Sequence, residues 1–176
     1  MRIEREQTIA LAVDYQEKLI PVMIEKERLI ENSSILLAGL NVLGIPVLLT
    51  QQYTKGLGMT VPEIMDAAGK TEYVEKISFS AYADVEEMIN RKKFVIICGV
   101  EAHICVLQTV IDLKSSGYVP VLVADCISSR RDYDKKMAVK RAREEGALIT
   151  TYEALLFELL KEAGTDTSKR IQRLVK

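Results

Sequence analysis

The stretch FVIICGVEAHICVLQTVIDLKSSG, Phe94 to Gly117, sets how the rest of the chain is read. It opens with Phe94-Val95-Ile96-Ile97-Cys98, a short apolar run rich in β-branched residues. Such a run reads as a strand buried on both faces, the kind found in parallel sheets. Gly99 is expected to break it. A helix follows, with Val106, Val110 and Leu113 on one face and Gly117 placed to stop it. Cys105 falls in the first turn of that helix, just past the strand. Unpaired N–H groups and the positive end of the helix dipole favour a thiolate there. In open α/β sheets ligands bind outside the carboxyl ends of the strands, so Cys105 is the first candidate for chemistry. Its alternative is core packing, the usual place of a free cysteine. Cys98, inside the run, takes that reading. Cys126, after Val121-Leu122-Val123-Ala124-Asp125, reads as a small buried residue, with the wall of the same crevice as its other option.

Composition narrows the classes. The 176 residues suffice for one sizeable core and read as a single domain over 1–176. A formal net charge of −1 gives no electrostatic case for a nucleic-acid partner. No apolar segment approaches the roughly 20 residues of a membrane span, so no membrane partner is expected. The polar start Met1-Arg2-Ile3-Glu4-Arg5-Glu6 is unlike a signal peptide. Three cysteines without a C-x-x-C pair fit free thiols in a reducing cytoplasm. One histidine, His103, cannot build a multi-histidine zinc site, and neither a metal nor another cofactor is expected.

Along the chain, Thr8 to Val13 reads as the first buried strand, ended by Asp14. Glu25 to Leu43 carries Leu29, Leu36, Leu37 and Leu40 at helical spacing, with Gly44 to end it. Ile45 to Thr50 is the second strand. Gln51 to Lys70 reads as a long loop, a common place for function, with a short helix near Pro62 to Ala67. Tyr73 to Lys76 is briefly extended, and Ser80 or Asp84 can cap a helix to about Asn90. After the Phe94 strand and its helix come a strand at Val119 to Ala124, a helix to Glu145, a strand at Ala147 to Thr150 and a helix at Tyr152 to Ala163. An amphipathic tail, Ser168 to Lys176, closes the chain. Strands alternating with helices predict a mostly parallel sheet covered on both sides. Right-handed crossovers then bring all strand ends to one edge, where Asp14 and Cys105 meet.

A cysteine nucleophile needs a base, and the base needs an orienting group. His103 is near in sequence, but two positions along a helix do not face each other. It suits the turn before the helix, touching substrate or merely solvated. Asp14 is the better base, since a partly desolvated carboxylate can be tuned toward neutrality. Its other reading is a cap for the next turn. Lys76, with Ile77, Phe79 and Tyr82 nearby, could orient Asp14, or be an ordinary solvated lysine.

Several ordered segments together resemble the isochorismatase-like cysteine hydrolases. They are Val13-Asp14-Tyr15-Gln16, Gln51 to Gly58, Lys76 to Ala81, Gly99 to Val106, Asp125 to Arg130 and Gly146 to Glu153. The chain is most similar to the compact isochorismatase-domain subgroup. The resemblance implies a three-layer Rossmann-like α/β/α fold and a catalytic triad of Asp14, Lys76 and Cys105. It implies a cis peptide between Val100 and Glu101, with the N–H groups of Glu101 and Cys105 forming an oxyanion hole. One such donor is worth on the order of 3 kcal/mol of barrier. Gln52, Tyr53, Phe79 and His103 are the expected substrate-binding walls. Two departures bear on the reaction. Nicotinamidases of this superfamily carry Asp-x-His-x-x-His after the second strand, whereas Thr50-Gln51-Gln52-Tyr53 holds no histidine. Isochorismatases proper lack the cysteine, which this chain keeps.

The reading is therefore a metal-independent cytoplasmic cysteine hydrolase acting through a thioester on a small-molecule amide or related carbonyl compound. The alternatives are a catalytically silent scaffold of the same fold, on which fold alone is silent, and a redox-sensing thiol. A homo-oligomer is expected. Ile171, Leu174 and Val175 form an apolar stripe in the tail that serves either a second subunit or the chain's own core.

Overall fold

The computed structural model describes the whole chain, Met1–Lys176. Six strands form one sheet, all parallel, in the order β3-β2-β1-β4-β5-β6. They are β1 Thr8–Val13, β2 Val47–Gln52, β3 Val74–Lys76, β4 Phe94–Val100, β5 Val119–Ser128 and β6 Leu148–Thr150. The helices are α1 Lys26–Val42, α2 Thr54–Leu57, α3 Pro62–Ala68, α4 Tyr82–Ile89, α5 Leu107–Ser115, α6 Asp132–Glu144, α7 Tyr152–Leu160 and α8 Asp166–Leu174. A π-helical turn, Ala102–Val106, joins β4 to α5. No helix is long and apolar enough to cross a membrane.

The pleat explains why the central strands read as unbroken apolar runs. In β1, Ala10 and Ala12 enter one core while Ile9, Leu11 and Val13 enter the other. In β4, Phe94, Ile96 and Cys98 face the first core, and Val95 and Ile97 the second. Alternate side chains thus fill both layers, and every residue of β1 and β4 is buried. The first core packs α1, through Leu29, Leu36, Leu37 and Leu40, with α3, α7 and α8. The second takes Val85 and Ile89 of α4, Val110 and Leu113 of α5, and Ala138 and Ala142 of α6. The result is three layers, α/β/α.

Several element bounds differ from the sequence expectation. Gly99 does not break β4, which runs on to Val100. Gly99 has φ +129 and pairs with Val13, whose carbonyl oxygen occupies the space a Cβ would need. The glycine is there for close strand approach. β2 starts and ends two residues later than expected, so Gln51 and Gln52 are strand, not loop. β5 extends to Ser128 because it bulges: Ile97 pairs with Leu122, yet Gly99 pairs with Ile127. The extra residues, which include Asp125 and Cys126, lie in the bulge, and pairing resumes beyond them at Ile127 and Ser128. The tail stripe belongs to the chain's own core. Ile171 is fully buried, and Leu174 and Val175 pack against the same cluster. Thr165 accepts the Ser168 N–H to start that helix.

Candidate active site

Strand order places the site. From β1 the chain steps outward through β2 and β3, then returns to β4 on the other side and steps outward through β5 and β6. The reversal lies between β1 and β4, and a crevice opens at the carboxyl ends of strands flanking such a point. Asp14 follows β1, and Cys105 lies on the turn that follows β4. Lys76 ends the edge strand β3 and reaches past Gln52, at the end of β2, to Asp14.

The Asp14–Lys76 pair is fully buried. Lys76 Nζ lies 2.7 Å from Asp14 Oδ2, and both side chains have no exposed surface. The ammonium donates to Gln52 Oε1 at 2.7 Å, Phe79 O at 2.9 Å and Ser78 O at 3.2 Å. Three acceptors account for its three N–H bonds. Asp14 Oδ2 therefore receives the charge of the ammonium but no aligned hydrogen bond. Oδ1 accepts the Thr50 hydroxyl at 2.7 Å. Asp14 caps nothing. Its φ of 54° lies in the left-handed region, a backbone state that recurs at functional positions.

Cys105 sits beside this carboxylate, on the π turn, 6 % exposed. Burial, first, and then the Asp14 charge push its thiol up to about 12, while Lys76 and the Glu101 N–H pull the other way. The expectation of a resting thiolate fails: desolvation outweighs the favourable end of a helix. The resting group is a neutral thiol that needs a base. The Glu101 N–H, aimed at the sulfur, is not taken by any backbone carbonyl. The Val100–Glu101 peptide is cis.

A small cavity of about 90 Å³ opens over the sulfur. Leu19, Leu57, Phe79 and Ile104 are its apolar walls; Gln52, Glu101 and Cys105 are its polar ones. Two of the four expected wall residues, Gln52 and Phe79, are in place. The Gln52 amide is already engaged at both ends, by Lys76 and by Ile77 O at 2.6 Å. Tyr53 and His103 do not line the cavity. Tyr53 is half exposed, and His103 meets Ser129 Oγ at 2.9 Å and faces a separate groove along α6. The π turn sends two residues, only two positions apart, to opposite sides. Cys126 and Cys98 are buried in the first core, away from the crevice. No three or more His, Cys, Asp or Glu side chains cluster as metal ligands would.

Four contributors escaped the sequence reading. Thr50 anchors Asp14. Gln16 bonds Gln52 O at 3.0 Å and the Gln52 N–H at 2.7 Å, fixing the end of β2. Thr109 donates to Cys105 O at 2.7 Å and accepts the Ala81 N–H at 2.9 Å, tying the Phe79 loop to the cysteine turn. Arg130 Nε holds Glu101 Oε2 at 2.9 Å. Polar residues at strand ends beside Asp14 were the available signal for Thr50 and Gln16. Nothing in sequence spacing marks the other two.

Comparison with known proteins gives a consistent picture. An isochorismatase domain model matches residues 8–154. Isochorismatase domain-containing protein 2 of Danio rerio is 35% identical over 178 residues, covering 99% of this chain and 89% of that protein. The secreted isochorismatase effector Isc1 of Phytophthora sojae is 33% identical over 183 residues, covering 99% and 87%. Among solved structures, the MAR1 ribonuclease from Caenorhabditis elegans superposes with a TM-score of 0.94 at 33% identity, covering 99% of this chain and 92% of that one. With a family model spanning most of its length and about a third of its positions shared with such relatives almost end to end, this protein belongs to the isochorismatase family.

Proposed function

We propose that the protein is a metal-independent cysteine hydrolase that cleaves small amides or related carbonyl compounds through a thioester, with Asp14, Lys76 and Cys105 as its triad. The observation that carries this is Asp14 Oδ2: a buried carboxylate oxygen, held by charge and free of aligned donors, beside a protonated thiol. Oδ2 takes the thiol proton as the sulfur attacks the carbonyl carbon. The carbonyl π electrons move onto oxygen, which the N–H groups of Glu101 and Cys105 hold. Collapse expels the amine with the proton from Asp14 and leaves a thioester. Asp14 then takes a proton from water, the resulting hydroxide attacks the thioester, and the released thiolate regains that proton. Lys76 offsets the negative charge that passes between sulfur and carboxylate. Gln52 positions Lys76, and Phe79 walls the substrate.

Ammonia release from a panel of short primary amides, with Cys105→Ala and Asp14→Asn as controls, tests this. Release by the wild type that both changes abolish is expected. Absence of release from every amide, with Cys105 still open to alkylation, would refute the amidase reading. Preferential labelling of Cys98 or Cys126 would refute the choice of nucleophile.

RNA hydrolysis is a second reading, prompted by the name of the C. elegans relative. The cavity offers no arginine, lysine or histidine on its wall to meet a phosphodiester, which weighs against it. RNA cleavage lost in Cys105→Ala would favour it. A redox-sensing role calls for thiolate character, and the raised thiol pKa weighs against that too. Three unpaired cysteines support a reducing compartment such as the cytoplasm. Homo-oligomer formation stays within the proposal, on the exposed Tyr53, Ile77 and Phe79, since apolar side chains grouped on a surface mark association sites. A monomer by light scattering at micromolar concentration would remove it.

A further inference from the structure

We propose that the Cys105 cavity admits short uncharged or cationic amides and turns acids away, and that the Glu101 carboxylate makes this choice. The inference rests on the hydrolase reading only for the word amide; the charge selection follows from the cavity itself. A bound carboxylate is held strongly where a cation meets it. Two cations stand behind the wall: Lys76 donates to Gln52, Ser78 and Phe79 with its charge facing Asp14, and Arg130 is paired with Glu101. One N–H of the Gln52 amide is given to Ile77 O. The remaining donors in the crevice are the second, uncharged Gln52 N–H and the backbone N–H groups assigned to the reacting oxygen.

Glu101 is the charged residue on the wall. Its Oε2 is bonded to Arg130, and Oε1 has no protein donor. The two partners differ in setting. The Glu101 side chain is 11% exposed and that of Arg130 57%. Solvent screens the guanidinium more than the carboxylate, so the cavity feels a net negative charge. Oε1 can accept an N–H from an amide or ammonium group, whereas an acid meets repulsion with no cation on the wall to offset it. The small volume restricts the acyl part to a few non-hydrogen atoms.

Alkylation of Cys105 reads this selection without requiring turnover. Iodoacetamide and iodoacetate are nearly equal in size and differ in charge. In each reaction the S–C bond forms, iodide leaves, and the thiol proton passes to Asp14. Rates at Cys105, followed by peptide mapping, are compared with those of glutathione. The amide-to-acid rate ratio is expected to be at least tenfold higher at Cys105. Glu101→Gln should lower that ratio at least threefold, and Arg130→Gln, which leaves the carboxylate uncompensated, should raise it. Circular dichroism establishes that each variant is folded. A wild-type ratio equal to that of glutathione, a ratio unmoved by Glu101→Gln, or no labelling of Cys105 by either reagent would overturn the proposal. An inert amide panel with the ratio intact would sink the hydrolase reading and leave this one standing.

Discussion

Replacing Lys76 with methionine keeps the length of the side chain and removes its charge, leaving Asp14 buried beside no cation. At 2.7 Å the attraction between the two groups is about 6 kcal/mol with an effective dielectric constant near 20. Desolvation of both ions offsets much of that in the intact pair. Removing one partner leaves the other uncompensated, which costs about 3–5 kcal/mol. Gln52 Oε1 loses its donor as well, while Ser78 O and Phe79 O lie nearer solvent and can turn to water. Such a loss is a large share of the roughly 5–15 kcal/mol that holds a domain folded. With a urea slope near 2 kcal/mol/M, the unfolding midpoint of Lys76→Met should fall by about 2 M. Asp14→Asn, nearly isosteric, leaves an ammonium that still has three oxygen partners and should cost less. The double variant should lie well short of the sum, with a coupling energy of about 2 kcal/mol or more. Matched urea titrations of the four proteins measure this. A loss under about 1 kcal/mol for Lys76→Met, or additivity within about 0.5 kcal/mol, would refute the buried pair and the reasoning built on it.

Three further outcomes follow from the same structure. Cys105 and Cys98 are both raised to about 12 from an ordinary 9.0, chiefly by burial. Between those pH values the unfolded chain releases thiol protons that the folded chain keeps, so stability falls as pH rises past 9. At pH 10 the loss is about 1.4 kcal/mol for each thiol, readable as a drop in the urea midpoint that Cys98→Ser and Cys105→Ser each reduce. Gly99→Ala forces a Cβ against the Val13 carbonyl at φ +129, and should cost more than the 1–3 kcal/mol typical of backbone strain alone; a melting temperature within 2 °C of wild type would contradict the β1–β4 register, on a scale where about 1 kcal/mol shifts the melt by roughly 2–4 °C. Tyr15→Phe removes a hydroxyl bonded to Ser33 Oγ at 2.7 Å and Cys126 O at 2.8 Å. Both partners are buried, so a loss of about 1–3 kcal/mol is expected by denaturant titration.

Asp14 and Cys105 could be found from sequence because parallel strands deliver their ends to one edge, whatever the strand order. Lys76 was legible from its apolar neighbours, although Ile77 and Phe79 prove exposed while Lys76 itself is buried. The protonation state of Cys105 was not legible, because it depends on how tightly the crevice closes. Position alone argued for a thiolate, and burial reversed that. Gln52 resisted for a related reason. Glutamine in a strand end reads as loop or ligand contact, and only its two partners, Lys76 and Ile77, explain why it is buried. His103 and Cys105 do not face each other, as their spacing implied, but His103 is not on the pocket wall where it was expected, because the π turn carries it toward Ser129 and the groove along α6. The tail stripe could not name its partner until α8 was seen lying on the first core.

The order of the strands has an implication for how the molecule comes to be. Thr50, Gln52, Lys76 and Asp14, the acid–base side of the proposed site, belong to the amino-terminal half; Glu101 and Cys105, its proposed nucleophilic side, belong to the carboxyl-terminal half. They meet where Thr8 to Val13 pairs with Phe94 to Gly99, and α1 of the first half also packs on β5, α7 and α8 of the second. Two separately made fragments divided near Arg91 would each lack one side of the proposed site, and any reactivity they recover on mixing would measure how well the β1–β4 pairing and the packing of α1 on β5, α7 and α8 can together knit the protein.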